Sequence, residues 1–297
     1  MRSGFIALVG RPNVGKSTLL NAIIGKKVAI TSDKPQTTRN IIQGIRTDED
    51  TQMVFVDTPG IHKPKNKLGK MLNKQAYFSI NDVDVILFLV DITEPLGKGD
   101  MFVIDVLKNV TVPVILVINK IDKLPKEEIL KKIDEYKDLY NFDEIIPVSA
   151  SKHDNVDRLI DVLKTKLTDN IKYYDEDMYT DKPINFMISE IIREKILERT
   201  FEEVPHSVSV VVEQMDYNRE NVNIKATIVV DRENLKKILV GKNGSMIKDI
   251  GTSARLDLEP FLDKKVYLEL FVKVIPKWRD REKFLNETLF KEFNFDK

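Results

Sequence analysis
Along the first half of the chain, short apolar runs alternate with longer segments whose apolar residues recur every three to four positions. The runs Phe5–Val9, Ile41–Arg46, Met53–Asp57, Val85–Val90, Val114–Asn119 and Ile145–Val148 predict strands. The segments Lys16–Ile24, Leu68–Asn81, Gly99–Asn109, Lys126–Tyr140 and Val156–Thr168 predict helices. Strands alternating with helices of this length build βαβ units and a mostly parallel sheet, an α/β class. A run such as Val85–Val90, apolar throughout, fits a strand covered on both faces. Near Thr168 the pattern stops. Lys172–Pro183 carries neither period and predicts a linker. A helix over Ile184–Arg199 follows, then alternating strands at Ser207–Gln214 and Asn223–Val230. A helix to Leu239, the turn Gly241-Lys242-Asn243-Gly244, a helix Met246–Leu262 and a strand Val266–Val274 complete an α+β unit. The expected organisation is a first domain over 1–170, a linker over 171–183 and a second domain over 184–297.

Length and composition narrow the chemistry. The chain has 297 residues, enough for two domains, and no cysteine. Disulfides, thiolate nucleophiles, Fe–S clusters and Cys-ligated zinc are excluded. The three histidines, His62, His153 and His206, lie far apart and argue against a histidine metal site. Phe5–Val9 runs into Gly10-Arg11-Pro12-Asn13 rather than a small-residue cleavage site, so it reads as a strand and not a signal peptide. Val85–Val90 and Val112–Ile118 are far short of the roughly 20 residues that span a bilayer. A cytoplasmic location is expected.

The strongest motif is Gly10-Arg11-Pro12-Asn13-Val14-Gly15-Lys16-Ser17, between a predicted strand and a predicted helix. It matches a phosphate-binding P-loop. Its glycines let backbone N–H groups curl around phosphate oxygens, and the helix N-terminus favours their charge. Lys16 is placed to reach the β- and γ-phosphates, and the Ser17 hydroxyl to bind Mg²⁺. Asn119-Lys120-Ile121-Asp122 ends another predicted strand. A carboxylate there can accept two hydrogen bonds from N1–H and the exocyclic amine of guanine; adenine would leave it unpaired. Asp57-Thr58-Pro59-Gly60 ends a third strand, where Asp57 can hold Mg²⁺ through water and the Gly60 N–H can meet a γ-phosphate. Ser149-Ala150-Ser151 follows a fourth, with the Ala150 N–H available to the guanine carbonyl.

In this order the motifs resemble the translation-factor-type GTPases of the P-loop class, with a doubly wound sheet. That resemblance extends the GTP contacts across Val14, Lys16, Ser17, Thr18, Asn119, Lys120, Asp122, Ser149, Ala150 and Ser151, beside Gly10, Asn13, Gly15, Asp57 and Gly60. It makes Gln36-Thr37-Thr38-Arg39 the first switch, with Thr38 the hydroxyl that senses Mg²⁺ and γ-phosphate. The implied catalytic set is Lys16, Thr38, Asp57 and Gly60, and the implied Mg²⁺ set Ser17, Thr38 and Asp57. Two departures stand out. Where many regulatory GTPases carry a glutamine that orients the attacking water, this chain has Ile61, which cannot hydrogen-bond. Slow intrinsic turnover is therefore expected. Asn13 stands where related GTPases use an asparagine to help bind potassium beside the phosphates, so K⁺ joins GTP, GDP and Mg²⁺ among the expected cofactors.

In the second domain, Ile238–Ile247 resembles the centre of a KH domain: an apolar helix end, a G-x-x-G turn and another helix. The element order matches the bacterial-type KH topology. Such a module clamps about four nucleotides of single-stranded nucleic acid. Gly241, Lys242, Asn243, Gly244 and Lys248 are the expected RNA contacts. The tail around Lys277-Trp278-Arg279 interleaves stacking and phosphate-binding side chains and joins them, although a single tryptophan also serves well as a packing residue.

A GTPase domain followed by a KH domain resembles the bacterial ribosome-assembly GTPases. The resemblance implies a GTP-driven switch that binds 16S ribosomal RNA near its 3′ end and assists maturation of the 30S subunit. It also implies a monomer without DNA partners, and it allows loose association with the inner face of the membrane. Rival readings are a nucleotide kinase, opposed by Asn119–Asp122, and a GTP-gated protein-binding or membrane-associated regulator. The charge is no obstacle to RNA. The chain balances 47 basic against 47 acidic residues, but residues 181–231 carry 6 basic against 10 acidic while 236–283 carry 12 against 7. An RNA strand meets the local potential, not the average.

Overall fold
The computed structural model describes residues 1–34, 37–60 and 66–288. The chain divides into two compact units. The first comprises Met1–Thr31, Gln36–Lys65 and Gly69–Asp181; the second comprises Lys182–Lys297 together with Ser32–Pro35 and Asn66–Leu68.

Up to Asp181 the elements run β1 (Arg2–Gly10), α1 (Lys16–Ile24), β2 (Ile42–Thr47), β3 (Thr51–Asp57), α2 (Lys67–Asn81, in the first unit from Gly69), β4 (Val85–Asp91), α3 (Lys98–Leu107), β5 (Val114–Asn119), α4 (Lys126–Tyr136), β6 (Glu144–Pro147) and α5 (Val156–Lys166). The six strands order as β2-β3-β1-β4-β5-β6, and β2 alone runs antiparallel to its neighbour. Every residue of β3, β4 and β5 is buried, as continuous apolar runs require of strands covered on both faces. On one face Ala7, Val9, Phe88, Val90 and Leu116 pack with Ala76, Val103, Ile104, Leu107 and Tyr136 from the helices. Helix α4 stops at Tyr136, four residues before its expected end. After Lys137 N–H bonds Ile133 O, the chain tightens so that Leu139 N–H bonds Tyr136 O, and the Tyr140 hydroxyl turns back to Leu107 O.

The segment expected as a linker lies along the edge of this sheet. Gln52, fully buried on β3, accepts from the N–H of Tyr173 at 2.8 Å and Tyr174 at 3.0 Å, and donates to Tyr174 O at 2.9 Å. Further on, Ile45 N–H on the edge strand β2 donates to Tyr179 O, and Gln43 N–H to the Asp181 carboxylate. Aperiodic sequence concealed an ordered strap, because the strap takes its hydrogen bonds from strands far away in the chain.

The second unit contains α6 (Ile184–Arg199), α7 (Val204–Ser207), β7 (Val208–Tyr217), β8 (Asn221–Val230), α8 (Glu233–Val240), α9 (Ser245–Leu262), β9 (Lys265–Val274) and α10 (Glu282–Thr288). Its sheet orders β7-β8-β9, antiparallel then parallel. The even-numbered residues Val222–Val230 and Val266 face a core that includes Ile188, Ile192, Ile196, Ile250, Ala254 and Leu258. The tail, for which no element was expected, forms a single helical turn at Trp278–Asp280 and then α10.

Candidate functional site: a nucleotide cleft and a nucleic-acid groove
Gly10, Asp57, Asp91 and Asn119 end the parallel strands β1, β3, β4 and β5, with Ser149 two residues past β6, so one end of the sheet gathers the motifs. This is where open α/β sheets bind ligands. The P-loop depends on its glycines. Gly10 and Gly15 have φ of 153° and 98°. A Cβ at Gly10 would overlap Leu89 O, and one at Gly15 the Asn119 amide. Gly60 packs closely enough that a Cβ would lie 2.8 Å from Pro12 N, which brings the Asp57–Gly60 turn against the phosphate loop. Thr58 fastens the same turn by donating to Leu8 O at 2.7 Å.

Lys16 is buried over the loop, and its Nζ donates to Gly10 O at 3.2 Å and Arg11 O at 2.9 Å. Burial lowers its pKa to about 8, against the opposing pull of Asp57. Beside it, Ser17 Oγ lies 2.7 Å from Asp57 Oδ2 and 2.9 Å from Thr38 Oγ1. Three residues from separate motifs therefore meet at one point. Asp57 is fully buried, and its second oxygen, Oδ1, has no hydrogen-bond partner among the described residues. Burial pushes this carboxyl above its ordinary pKa, so the carboxylate is held in a place that calls for a cation. Two hydroxyls and one orphaned carboxylate oxygen are hard ligands of the kind Mg²⁺ takes. Ile61 and Gln36 lie outside the described residues, as does His62.

On the base side, Asn119 is an organiser. Its Nδ2 donates to Val14 O at 2.9 Å, and its Oδ1 accepts from Ala150 N–H at 3.1 Å. That second bond amends the expected role of Ala150, whose N–H already has a partner and would reach a guanine oxygen only by sharing. Lys120 sits at φ 66° and reaches back to Asn13 O at 2.8 Å and Asp91 at 2.5 Å. Asp122 accepts from Ser149 Oγ at 2.6 Å, and this bond holds its pKa below the ordinary value. Ser149 Oγ is also 3.4 Å from Ser151 Oγ. Thr18 continues α1 behind the loop. Asp91 escaped sequence reading, though a carboxylate closing the apolar run Val85–Val90 was the available signal.

In the second unit, Gly241 ends α8 at φ 73°, Asn243 takes φ 53°, and Gly244 at φ 77° leads into α9. A Cβ at Gly241 would press on Met246 N at 2.8 Å, whereas one at Gly244 would meet nothing within 4 Å. The turn thus needs glycine inside at the first position and presents bare backbone outward at the second. Beside it runs a groove of about 430 Å³ between α9 (Ile247, Lys248, Gly251) and β9 (Tyr267, Leu268, Leu270), with Arg255 at its side. Of these, only Lys248 was expected from the sequence; the remaining α9 residues recur at helical spacing on the same face.

The tail contributes less than expected. Trp278 is fully buried; its indole N–H donates to Ser207 O at 3.0 Å and its ring meets Phe284 edge-on. A ring with no exposed face cannot stack on a base, so Trp278 is a packing residue. Arg279 is drawn to Asp231 at 2.8 Å. Of the three, Lys277 remains exposed to solvent.

A family model described as 50S ribosome-binding GTPase matches residues 5–120, and a KH domain model matches residues 203–279. A crystal structure of Era in complex with MgGDPNP and nucleotides 1506–1542 of 16S ribosomal RNA is 42% identical, with a TM-score of 0.93 over 96% of this chain and 98% of that one. The chain belongs to the Era family. A second Era structure, a point variant of the Aquifex aeolicus protein bound to GDP·AlF4⁻, has the same identity, TM-score and coverage. Era-family architecture, a P-loop GTPase domain followed by a C-terminal KH domain, accounts for both units. No helix among the described residues is long and apolar enough to cross a membrane.

Proposed function
We infer that this Era-family chain is a GTP-hydrolysing switch that binds the 3′ region of 16S ribosomal RNA and assists assembly of the 30S subunit in the cytoplasm. The observation that carries the reading is the pairing, on one chain, of the Ser17–Thr38–Asp57 convergence with a G-x-x-G turn that leads into α9 and the groove between α9 and β9. The relative that aligns over 96% of the chain was crystallised with MgGDPNP and 16S RNA nucleotides.

In the proposed scheme the P-loop N–H groups and Lys16 would hold the phosphates, while Ser17, Thr38 and Asp57 would hold Mg²⁺, whose charge would offset that of the phosphates. Asp122 selects guanine. Thr38, whose hydroxyl lies 2.9 Å from Ser17 Oγ and 3.4 Å from Asp57 Oδ2, is placed to report the γ-phosphate through its loop. On the RNA side, Gly244 admits a phosphate close to backbone, Lys242 and Lys248 supply charge, and bases enter between α9 and β9.

Coupling between the two sites is reciprocal: if GTP tightens RNA binding, RNA tightens GTP binding by the same factor. The test measures affinity for a 3′-terminal 16S RNA oligonucleotide with GTP, with GDP and without nucleotide, in the wild type and in Gly241→Asp/Gly244→Asp. Tight binding lost in the variant supports the reading. Equal weak binding by both chains defeats RNA recognition, and equal affinity in all three nucleotide states defeats the switch. Loose attachment to the inner membrane face is a secondary part of the reading, checked by flotation with anionic vesicles.

A further inference from the structure
The geometry points to Arg11 as the positioning residue of the phosphate loop, pinning its outer arm to helix α3 through buried Asp100 rather than serving as a catalytic arginine. Arg11 is the second residue of the P-loop motif, one of its unspecified positions. Its carbonyl accepts from Lys16 Nζ at 2.9 Å, so the backbone of Arg11 sets where the phosphate-binding ammonium can lie. Its side chain reaches helix α3 and the segment before it. The guanidinium donates to Asp100 Oδ2 at 2.9 Å and approaches Glu94 at 3.8 Å.

Asp100 is a firm anchor. It is buried, and the same oxygen accepts the Gly97 N–H at 3.0 Å at the start of α3. Tyr136 is buried at the end of α4, and its burial together with the nearby Asp100 charge raises the pKa of its hydroxyl. Lys132 on α4 donates to Glu94 O at 2.8 Å, tying the second acidic contact of Arg11 to the same framework. Gly99 leaves room for the arginine stem: a Cβ there would lie 3.0 Å from Arg11 Cδ. The other arm of the loop is held separately, by Lys120 on Asn13 O and Asn119 on Val14 O. The loop is thus braced on both flanks, one brace joined to the guanine motif and the other to α3 and α4. Preorganised backbone donors lower the ordering cost of binding phosphate. An arginine already paired with buried Asp100 is not available to meet charge developing on the γ-phosphate.

The inference rests on the nucleotide-site reading, and the experiment separates the two. Dissociation constants and release rates of a fluorescent GDP analogue, and KM and kcat for GTP, are measured for the wild type, Arg11→Ala, Arg11→Lys, Asp100→Ala and the Arg11→Ala/Asp100→Ala double variant, with melting temperatures alongside. A wild type that binds no guanine nucleotide sinks the site reading itself. If the wild type binds, the expected result is an affinity loss of about tenfold in Arg11→Ala, faster release, and kcat at saturation within about twofold of wild type. Arg11→Lys, keeping a shorter donor to Asp100, should recover part of the loss. The double variant should be no weaker than the worse single one, since both remove one brace. A kcat collapse in Arg11→Ala with unchanged GDP affinity, while Asp100→Ala keeps its kcat, would overturn the proposal in favour of a catalytic arginine. Unchanged affinity in Arg11→Ala would overturn it too. If Asp100→Ala fails to fold through loss of its contact with Gly97, the Arg11→Ala and Arg11→Lys pair decides alone.

Discussion
Asp122 carries the first prediction at the scale of a single side chain. The hydrogen bond from Ser149 Oγ holds its pKa below the ordinary value, so it stays an acceptor for the proposed guanine contact. Asp122→Ala should weaken GDP binding by about 3 kcal/mol, roughly 150-fold, as two charge-assisted hydrogen bonds are lost. Calorimetric titration with GDP checks this. Asn13 carries the second prediction at this scale. Hydrolysis should run faster in KCl than in NaCl at equal ionic strength, and Asn13→Ala should bring the two rates together; equal wild-type rates would remove potassium from the account. The motif residues stand out as candidates because each spacing is tied to a stated chemistry. Arg11 and Asp100 were not legible, since an ion pair between positions 89 residues apart leaves no local pattern. Trp278 was legible only as two readings, and burial chose between them.

At the scale of elements, periodicity located the strands and long helices to within a few residues, because burial on one or both faces imposes the period. It failed where stability comes from elsewhere. The strap from Asp169 to Asp181 is held by Ser3, Gln43, Ile45 and Gln52, none of which marks it in its own sequence. Gln52 is its central fastening. Gln52→Ala would take their acceptor from the Tyr173 and Tyr174 N–H groups, at a cost of about 0.5–1.5 kcal/mol for each hydrogen bond lost. The expected outcome is faster tryptic cleavage after Lys172, with the remaining first unit intact; limited proteolysis followed by mass spectrometry reads it. Unchanged cleavage would show that the other bonds suffice.

For the whole molecule, electrical neutrality is a working property. A chain balanced at 47 basic and 47 acidic residues has little long-range pull on RNA, so binding should depend on the few lysines at the groove. The logarithm of RNA affinity should fall only shallowly with the logarithm of salt. Lys242→Ala and Lys248→Ala should each reduce the slope by about 0.7, the value for one phosphate of a single strand. A steep slope, insensitive to both substitutions, would place the electrostatic contact elsewhere on the surface. The division into two units, by contrast, was readable from the change of period alone, because each unit closes its own apolar core.

The indole of Trp278 is the only one in the chain, and it lies sealed beside Phe284 within the second unit. Light absorbed selectively by tryptophan is therefore emitted from the KH half alone, while the GTPase half stays dark. As denaturant rises, a red shift of that emission would time the opening of the RNA-binding unit, and release of bound fluorescent nucleotide would time the other. The chain thus carries a built-in label with which the cooperativity of its two halves can be measured, without adding a probe to the RNA-binding unit.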